Sequence, residues 1–390
     1  MITAEDETKN FQYSIFQILK QVNKPSRYLG EEAGSIKKNW DDCDVKTCLL
    51  FPDLYEVAIS NLGHRILYHI INNQHNCLAD RTYAPDIDFR EQLKQNNLSL
   101  YGVDYFKKLT EYDVIALSLQ YELSYPTILE MLDMGGVKIK TSQRDKNDPI
   151  VIAGGPGCYN PESLSEFVDA FIIGDGEDII PEILSQISMD KKNLKSRKDI
   201  VKNLANISGI YVPIVHEGNN KIKIKKRTSN LDVQNVPVNF PVPFSPSVHD
   251  RSVVEIRRGC GRMCRFCQAC YVNLPVREQD AENVVDLVSN SLCNTGYEEY
   301  SLLSLSSNDY TKMEDLVKTL NKRHATSNAS ISLPSQRADS FSLELAQEVQ
   351  KVRKSTLTFA PEAGSQRLRD VINKNLTEDQ IFDAIITSYK

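Results

Sequence analysis

The chain has 390 residues, of which 41% are hydrophobic and 25% are charged, and its formal net charge is −6. These values are typical of a soluble globular protein with two or three domains. They exclude a membrane-spanning protein, because no apolar run reaches the roughly 20 residues that a spanning helix needs. No secretory leader is visible, which predicts a cytoplasmic location, and the acidic balance argues against a broad nucleic-acid-binding surface.

The first 44 residues are predicted to form an N-terminal extension with one amphipathic helix at 11–22. From 45 to 187, near-continuous apolar runs alternate with amphipathic stretches, which indicates a parallel sheet covered on both faces. We therefore predict a doubly wound α/β domain whose ligand crevice lies at the carboxyl ends of its strands. The predicted strands are 48–53, 79–85, 112–119, 149–155 and 169–175, and the predicted helices are 61–73, 124–134, 163–167 and 176–187.

Residues 188–250 change character and contain a charged stretch, a small β-like excursion and four prolines between 237 and 246. Proline fixes φ and lacks a backbone donor, so this segment is predicted to be a linker. From 251 to 390 the βα pattern resumes, and four successive units predict part of a parallel (β/α) barrel. Its predicted strands are 253–259, 300–307, 329–335 and 355–364, and its predicted helices are 281–291, 313–323, 342–352 and 366–373, with another beginning at Thr377.

Four of the nine cysteines lie within eleven residues, at Cys260, Cys264, Cys267 and Cys270. They directly follow the first predicted barrel strand, where the active sites of βα barrels are built. Three thiolates on one short loop can hold a [4Fe–4S] cluster and leave one iron without a protein ligand. Three alternatives remain open: a structural zinc site, a four-thiolate electron-transfer cluster that includes Cys270, and buried cysteines without metal.

The C-x3-C-x2-C spacing, with an aromatic residue before the last cysteine, resembles the radical S-adenosylmethionine (SAM) superfamily. The resemblance implies that Cys260, Cys264 and Cys267 bind a [4Fe–4S] cluster whose unique iron chelates SAM, and that Phe266 shields the adenine. Cys270 falls outside the motif and is expected to be a small buried hydrophobic residue.

Two further segments resemble SAM-binding parts of that barrel. The segment 303–310 is similar to the end of the second strand, which implies that Ser306, Ser307 and Asn308 contact SAM; hydroxyl and amide oxygens are suitable acceptors. The segment 357–370 is similar to the fourth, which implies that Glu362 meets the ribose or methionyl group. The alternative role of Glu362 is a carboxylate that favours a helix N-terminus.

The upstream strings FPDLYEVAISNLG, SLQYELSYPTILEML and IAGGPGCYNPE resemble an uncharacterised radical SAM family with an N-terminal cobalamin-binding-like domain, here 45–187. Cobalamin itself is possible but disfavoured, because no histidine lies in the D-x-H-x-x-G motif that ligates cobalt. His64 and His69 are expected to be solvated or packing residues.

The resemblance implies an enzyme that cleaves SAM reductively to start radical chemistry on an unknown substrate, with electrons from a flavodoxin or ferredoxin type of reductant. Catalytic side chains beyond the cofactor sites cannot be assigned from the sequence. The alternatives are a cobalamin-dependent or methylthio-type transferase and a non-enzymatic iron–sulfur protein. Because six units are usual and four are counted, we expect the barrel to be incomplete and the isolated chain to need a polypeptide that supplies the rest.

Overall fold

The computed structural model describes residues 4–218, 222–334, 336–353 and 358–389. These residues form two compact units. The first contains Met1–Ser229 with Phe240–His249, and the second contains Asn230–Asn239 with Asp250–Lys390. No helix among the described residues is both long enough and apolar enough to cross a membrane.

The first unit is built on a six-stranded sheet with the order β2-β1-β3-β4-β5-β6. Strands β1 to β5 are parallel, and β6 is an antiparallel edge strand. This order is doubly wound, as predicted, and the chain reverses direction across the sheet between β1 and β3. The strands are β1 (Val45–Phe51), β2 (Cys77–Tyr83), β3 (Val114–Ser118), β4 (Ile150–Gly154), β5 (Ala170–Ile172) and β6 (Ile210–Tyr211).

Apolar residues cover both faces of this sheet. Along β1, Leu50 belongs to one buried apolar cluster and Leu49 to another. Successive side chains of a strand point to opposite faces, so both faces of β1 are buried under helices. This double burial explains why the strands read as continuous apolar runs rather than as alternating ones.

The helices of the first unit follow the predicted pattern with several differences. The predicted helix at 163–167 is only a 3-10 turn, Pro161–Leu164, and the first helix begins and ends earlier than predicted. The sequence analysis missed α3, whose N-terminus is capped by Asp86, and α6, which is capped by Ser196. The helices of eight or more residues are α1 (Ala4–Leu19), α2 (Leu62–Asn73), α3 (Ile87–Gln95), α4 (Tyr125–Met134), α5 (Ile179–Lys192) and α6 (Arg197–Leu204), and two four-residue helices lie at Tyr55–Ala58 and Pro213–His216.

Helix α6 and strand β6 change the interpretation of the segment predicted as a linker. Both bury apolar residues against the first unit, so 188–229 belong to it rather than leading away from it. The predicted β excursion comprises GIYVP, which contains β6, and KIKIKKR, whose described part, 222–227, forms only one isolated bridge, between Gly174 and Arg227.

The second unit contains a four-stranded sheet with the order β8-β7-β9-β10. Strands β7, β9 and β10 are parallel, whereas the two-residue strand β8 is antiparallel to β7 and was not predicted. The described residues form no closed barrel. The predicted fourth strand, 355–364, begins outside the described residues, and 358–364 contain no strand. The strands are β7 (Ser252–Arg258), β8 (Arg277–Glu278), β9 (Glu299–Ser304) and β10 (Ser330–Ser332).

Helices pack against this sheet through one apolar cluster that includes Val254, Leu302 and Leu316. The last helix begins as predicted: the Thr377 hydroxyl accepts a hydrogen bond from the Gln380 backbone N–H, and the Gln380 side-chain oxygen accepts one from the Thr377 backbone N–H. The helices of six or more residues are α7 (Ala281–Thr295), α8 (Met313–Arg323), α9 (Leu343–Val349), α10 (Gln366–Val371) and α11 (Glu378–Ser388), and a five-residue helix, Gln268–Val272, follows the cysteine loop.

Candidate functional site

The cysteine loop, residues 259–267, begins directly after β7. Because β7, β9 and β10 are parallel, their carboxyl ends meet at one edge of the sheet, and the loops that follow them are neighbours. Gly259 has φ +86°, and a Cβ there would lie 2.6 Å from the Asn273 carbonyl oxygen. Only glycine allows the chain to turn from β7 into the loop at this point.

The three motif thiols are partly or fully covered. Cys264 is buried, whereas Cys260 and Cys267 are partly exposed. No three His, Cys, Asp or Glu side chains among the described residues converge tightly enough to hold a single metal ion. The cysteine thiolate is the donor that holds [4Fe–4S] clusters, so the donor set of this loop fits such a group.

Two cations act on the buried thiol. Burial raises the pKa of Cys264 above its ordinary value, and Lys374 and Arg337 offset part of that rise. Cations beside a cysteine favour its thiolate, which is the form that binds metal. The fourth cysteine, Cys270, is buried, and its Sγ lies 2.9 Å from the Cys267 carbonyl oxygen. That contact suits a thiol that donates to the loop backbone.

An ion network joins the loops that follow the three parallel strands. Arg262 of the cysteine loop binds Asp309, which follows β9, with Nε 3.1 Å from Oδ2. Its Nη1 also lies 3.4 Å from Oδ2 of Asp339, which follows β10 and is bound through both carboxylate oxygens by Arg337. Burial raises the pKa of Asp309, but its bonds to Arg262 outweigh that effect and hold the pKa below its usual range.

The three residues predicted after the second strand lie at this same edge. Ser306 and Ser307 are buried. The Ser307 hydroxyl donates to the Pro334 carbonyl and lies 3.0 Å from the Ser304 hydroxyl, which leaves an acceptor lone pair. Asn308 donates to the Ser340 carbonyl at 2.9 Å, so its amide braces two loops.

The remaining predicted residues, Glu362 and Phe266, are exposed. Glu362 adopts φ +68°, and its Oε1 lies 3.4 Å from Nζ of Lys374, the cation that also acts on Cys264. Phe266 is 54% exposed beside Cys267. The structure thus connects Glu362 with the cysteine loop through Lys374, while the cofactor roles of both residues stay predictions.

The sequence analysis missed the charged members of this edge. Asp309, Arg337 and Asp339 lie just beyond strands whose ends were predicted, so their position was a usable signal. Arg262 lies inside the cysteine motif, and the sequence analysis assigned no role to it. Their pairing was not visible, because it depends on which strands are neighbours.

The first unit has its own cavity, of about 250 Å³, at the point where its chain reverses direction. Three turns line it: 52–54 after β1, 84–87 after β2, and residues including Tyr121, Ser124 and Thr127 after β3. This is the edge at which the sequence predicted a ligand crevice, although the glycine-containing turns after β4 and β5 do not line the cavity.

His64 and His69 lie on α2, and neither is arranged as an evident ligand. His64 is buried with its ring edge-on to Phe51 and near Tyr83, and neither ring nitrogen has a hydrogen-bond partner among the described residues. Burial, together with the charges of Arg81 and Arg65, lowers the pKa of His64 to about 3. His69 Nε2 lies 2.8 Å from the Asn73 amide.

These features define an α/β protein with two parallel-sheet units, one of which carries a cysteine triad at the carboxyl ends of its strands. Residues 63–213 match the family described as radical SAM proteins, N-terminal, and residues 254–388 match the radical SAM superfamily. The chain therefore belongs to the radical SAM superfamily.

Two relatives and one solved structure illustrate the likeness. An uncharacterised protein of Methanocaldococcus jannaschii is 27% identical over 314 residues, which cover 80% of this chain and 62% of that protein. A tRNA-2-methylthio-N(6)-dimethylallyladenosine synthase of Clostridium novyi is 30% identical over 96 residues, which cover 25% of this chain and 20% of that enzyme. The radical SAM methyltransferase TsrM of Kitasatospora setae, solved with cobalamin and a [4Fe–4S] cluster, has the same fold at 13% identity and a TM-score of 0.58.

That structural match covers 87% of this chain and 65% of the TsrM chain. This chain thus spans less than two thirds of the Methanocaldococcus protein and of TsrM. The match also corrects one expectation. Cobalamin was disfavoured because the histidine motif is missing, but that motif concerns only ligation of cobalt. Since TsrM, bound to cobalamin, shares the fold, cobalamin is not disfavoured here.

Proposed function

We propose that this chain is a radical SAM iron–sulfur enzyme in which Cys260, Cys264 and Cys267 hold a [4Fe–4S] cluster. The observation that carries the proposal is the meeting of the cysteine loop with Ser306, Ser307 and the Arg262–Asp309 pair at one sheet edge. When bound, the cluster supplies one electron for cleavage of the bond between sulfur and C5′ of SAM, and the products are methionine and, after hydrogen transfer from substrate, 5′-deoxyadenosine.

The protein residues supply position, charge balance and cover. Lys374 and Arg337 offset the negative charge of the thiolates. Ser306, Ser307, Asn308 and Glu362 provide polar groups for SAM on the loops after β9 and α9, and Phe266 provides an aromatic surface beside Cys267. The substrate is not assigned, and the electron donor in this proposal is a flavodoxin or ferredoxin type of protein.

The test is SAM turnover by the anaerobically reconstituted chain, alone and together with a polypeptide that supplies the rest of the barrel, with dithionite as reductant. We expect methionine and 5′-deoxyadenosine from the wild type with that polypeptide and neither product from Cys264→Ala under the same conditions. The matched control is Cys293→Ala, because Cys293 is an exposed cysteine on α7, outside the motif. Turnover retained by Cys264→Ala, or no cluster in the wild type, would refute the proposal.

A second candidate is cobalamin-dependent methyl transfer. The position of the cavity, at the carboxyl ends of β1, β2 and β3, favours it, since ligands of doubly wound sheets bind where the chain reverses. TsrM, a methyltransferase with cobalamin bound, has this fold. The test is equilibrium binding of hydroxocobalamin followed by absorbance: Thr127→Trp, which fills the cavity, should weaken binding, whereas Lys94→Trp on the exposed side of α3 should not.

A further inference from the structure

We infer that Asn373 is a positioning residue that fixes the cysteine loop in its ligand-presenting conformation. The inference rests on the proposed function, because it concerns the loop that would hold the cluster. It assigns a role to a side chain that lies 106 or more positions beyond every residue of the C-x3-C-x2-C motif, and Asn373 lies 110 positions after Met263.

The first observation is a pair of hydrogen bonds from one amide. Nδ2 of Asn373 donates to the carbonyl oxygen of Arg262 at 3.2 Å and to that of Met263 at 2.9 Å. Met263 has φ +55°, a left-handed conformation that is unfavourable for a residue with an unbranched apolar side chain. The two bonds stabilise this turn immediately before Cys264.

The second observation lies on the other side of Cys264. The backbone N–H of Arg265 donates to the carbonyl of Ile372 at 3.0 Å, and the Arg265 guanidinium bonds the Val371 carbonyl. Residues 371–373 therefore contact the chain both before and after the buried cysteine. Cys264 is held between two anchored peptides, which restricts where its thiol can point.

The turn 371–373 is itself braced from the interior. Arg369 is 2% exposed, and its Nε donates to the Leu376 carbonyl at 2.8 Å. Its Nη1 donates to the Ala363 carbonyl at 3.0 Å, next to Glu362. Arg369 thus connects residue 363, beside Glu362, with the turn 371–373. Because Glu362 is predicted to contact SAM, movement of either segment should disturb the other.

Asparagine suits this position for two reasons. Its own φ is +57°, and Asn enters the left-handed region more readily than other residues with a side chain. Its amide supplies two N–H donors, which matches the two carbonyls. Glycine would keep the backbone but lose the donors, and aspartate would turn an acceptor toward two carbonyl oxygens.

These properties define the experiment, which uses the full chain reconstituted anaerobically with iron and sulfide. Asn373→Gly is compared with Asn328→Gly, a matched control with φ +51° on the loop before β10. We expect Asn373→Gly to fold, to retain its iron about 10- to 100-fold less tightly against a chelator, and to show a changed EPR line shape of the reduced cluster. Asn328→Gly should match the wild type in both measurements.

Asn373→Asp is the second variant, because it keeps the side-chain shape and should lose iron at least as readily as Asn373→Gly. Wild-type iron retention and an unchanged EPR spectrum in a folded Asn373 variant would overturn the inference. If the wild-type chain assembles no [4Fe–4S] cluster, the proposed function fails instead. If the wild type assembles one and the variants match it, only the role of Asn373 fails.

Discussion

Arg262 and Asp309 form a two-point ion pair between the cysteine loop and the loop after β9, with Nε bound to Oδ2 and Nη2 bound to Oδ1. The Asp309 side chain is 13% exposed and the Arg262 side chain 35%, so the carboxylate is the better shielded member of the pair. Two-point geometry fixes direction as well as distance. The ion pair therefore fixes the position of the cysteine loop relative to the loop after β9.

Asp309→Asn should weaken this ion pair. The asparagine side chain is neutral and has one acceptor oxygen, so it cannot accept both hydrogen bonds from the Arg262 guanidinium. We expect the free energy of unfolding to fall by about 1–3 kcal/mol. Urea titration followed by circular dichroism measures the change. Asp315→Asn, on the exposed face of α8, should alter the midpoint little, and equal losses in the two variants would contradict this role for the ion pair.

Cys260→Ala, Cys264→Ala and Cys267→Ala should each abolish the [4Fe–4S] cluster, since each removes one of three thiolate ligands. Cys270→Ala should retain it, because the Cys270 sulfur faces the Cys267 carbonyl. Iron and sulfide content after reconstitution distinguishes the two outcomes. Four irons retained by Cys264→Ala would end the assignment of these ligands.

The free energy of unfolding of the first unit should fall in mild acid because of His64. Its pKa is about 3 in the folded chain, below the ordinary value of 6.5, so the unfolded state binds the proton first as pH falls. The stabilisation is fully present above pH 6.5 and is lost progressively toward pH 3. Between pH 6.5 and pH 5 the loss is about 2 kcal/mol.

The measurement is urea unfolding at pH 7.5 and pH 5.0 for the wild type, His64→Phe and His69→Gln. Phenylalanine removes the titrating group from an aromatic contact with Phe51. The difference between the two pH values should shrink in His64→Phe and persist in His69→Gln. An undiminished difference in His64→Phe would place the acid sensitivity elsewhere.

If the first unit binds cobalamin, we expect cobalt to have no histidine ligand from this chain. No histidine lies in a D-x-H-x-x-G motif. His64 is enclosed by Phe51 and Tyr83 and does not line the cavity. EPR of the bound Co(II) form should therefore lack nitrogen coupling from protein histidine. Such coupling in the wild type, lost in His64→Ala or His69→Ala, would prove the opposite.

The sequence was informative where a local pattern determines structure. The apolar runs of β1 and β3 predicted a sheet buried on both faces, and the Thr377–Gln380 spacing predicted a helix start. It was uninformative where distant segments decide the outcome. Strand β8 has only two residues and exists because it pairs with β7, a contact that no local pattern encodes.

Arg369 illustrates the same limit at the site. The sequence predicts an exposed cation, because Arg369 lies on a short helix between exposed residues. In the structure Arg369 is buried and donates to backbone carbonyls at both ends of its segment. Burial of such a group depends on four acceptors brought together by the fold. The thiols, in contrast, were identified because their chemistry and spacing are contained in eight residues.

The hydrogen bonds from Asn373 to Arg262 and Met263 have a consequence for the order of assembly, since they close a loop of about 110 residues. Closing a long loop is entropically costly, and contacts of high sequence separation form slowly. The cysteine loop should therefore acquire its final conformation late in folding, after α10 has docked. Iron and sulfide should accordingly enter a chain that is already largely folded, and refolding monitored by hydrogen exchange should show the Arg265 N–H, which donates to the Ile372 carbonyl, protected later than the strands β7 and β9.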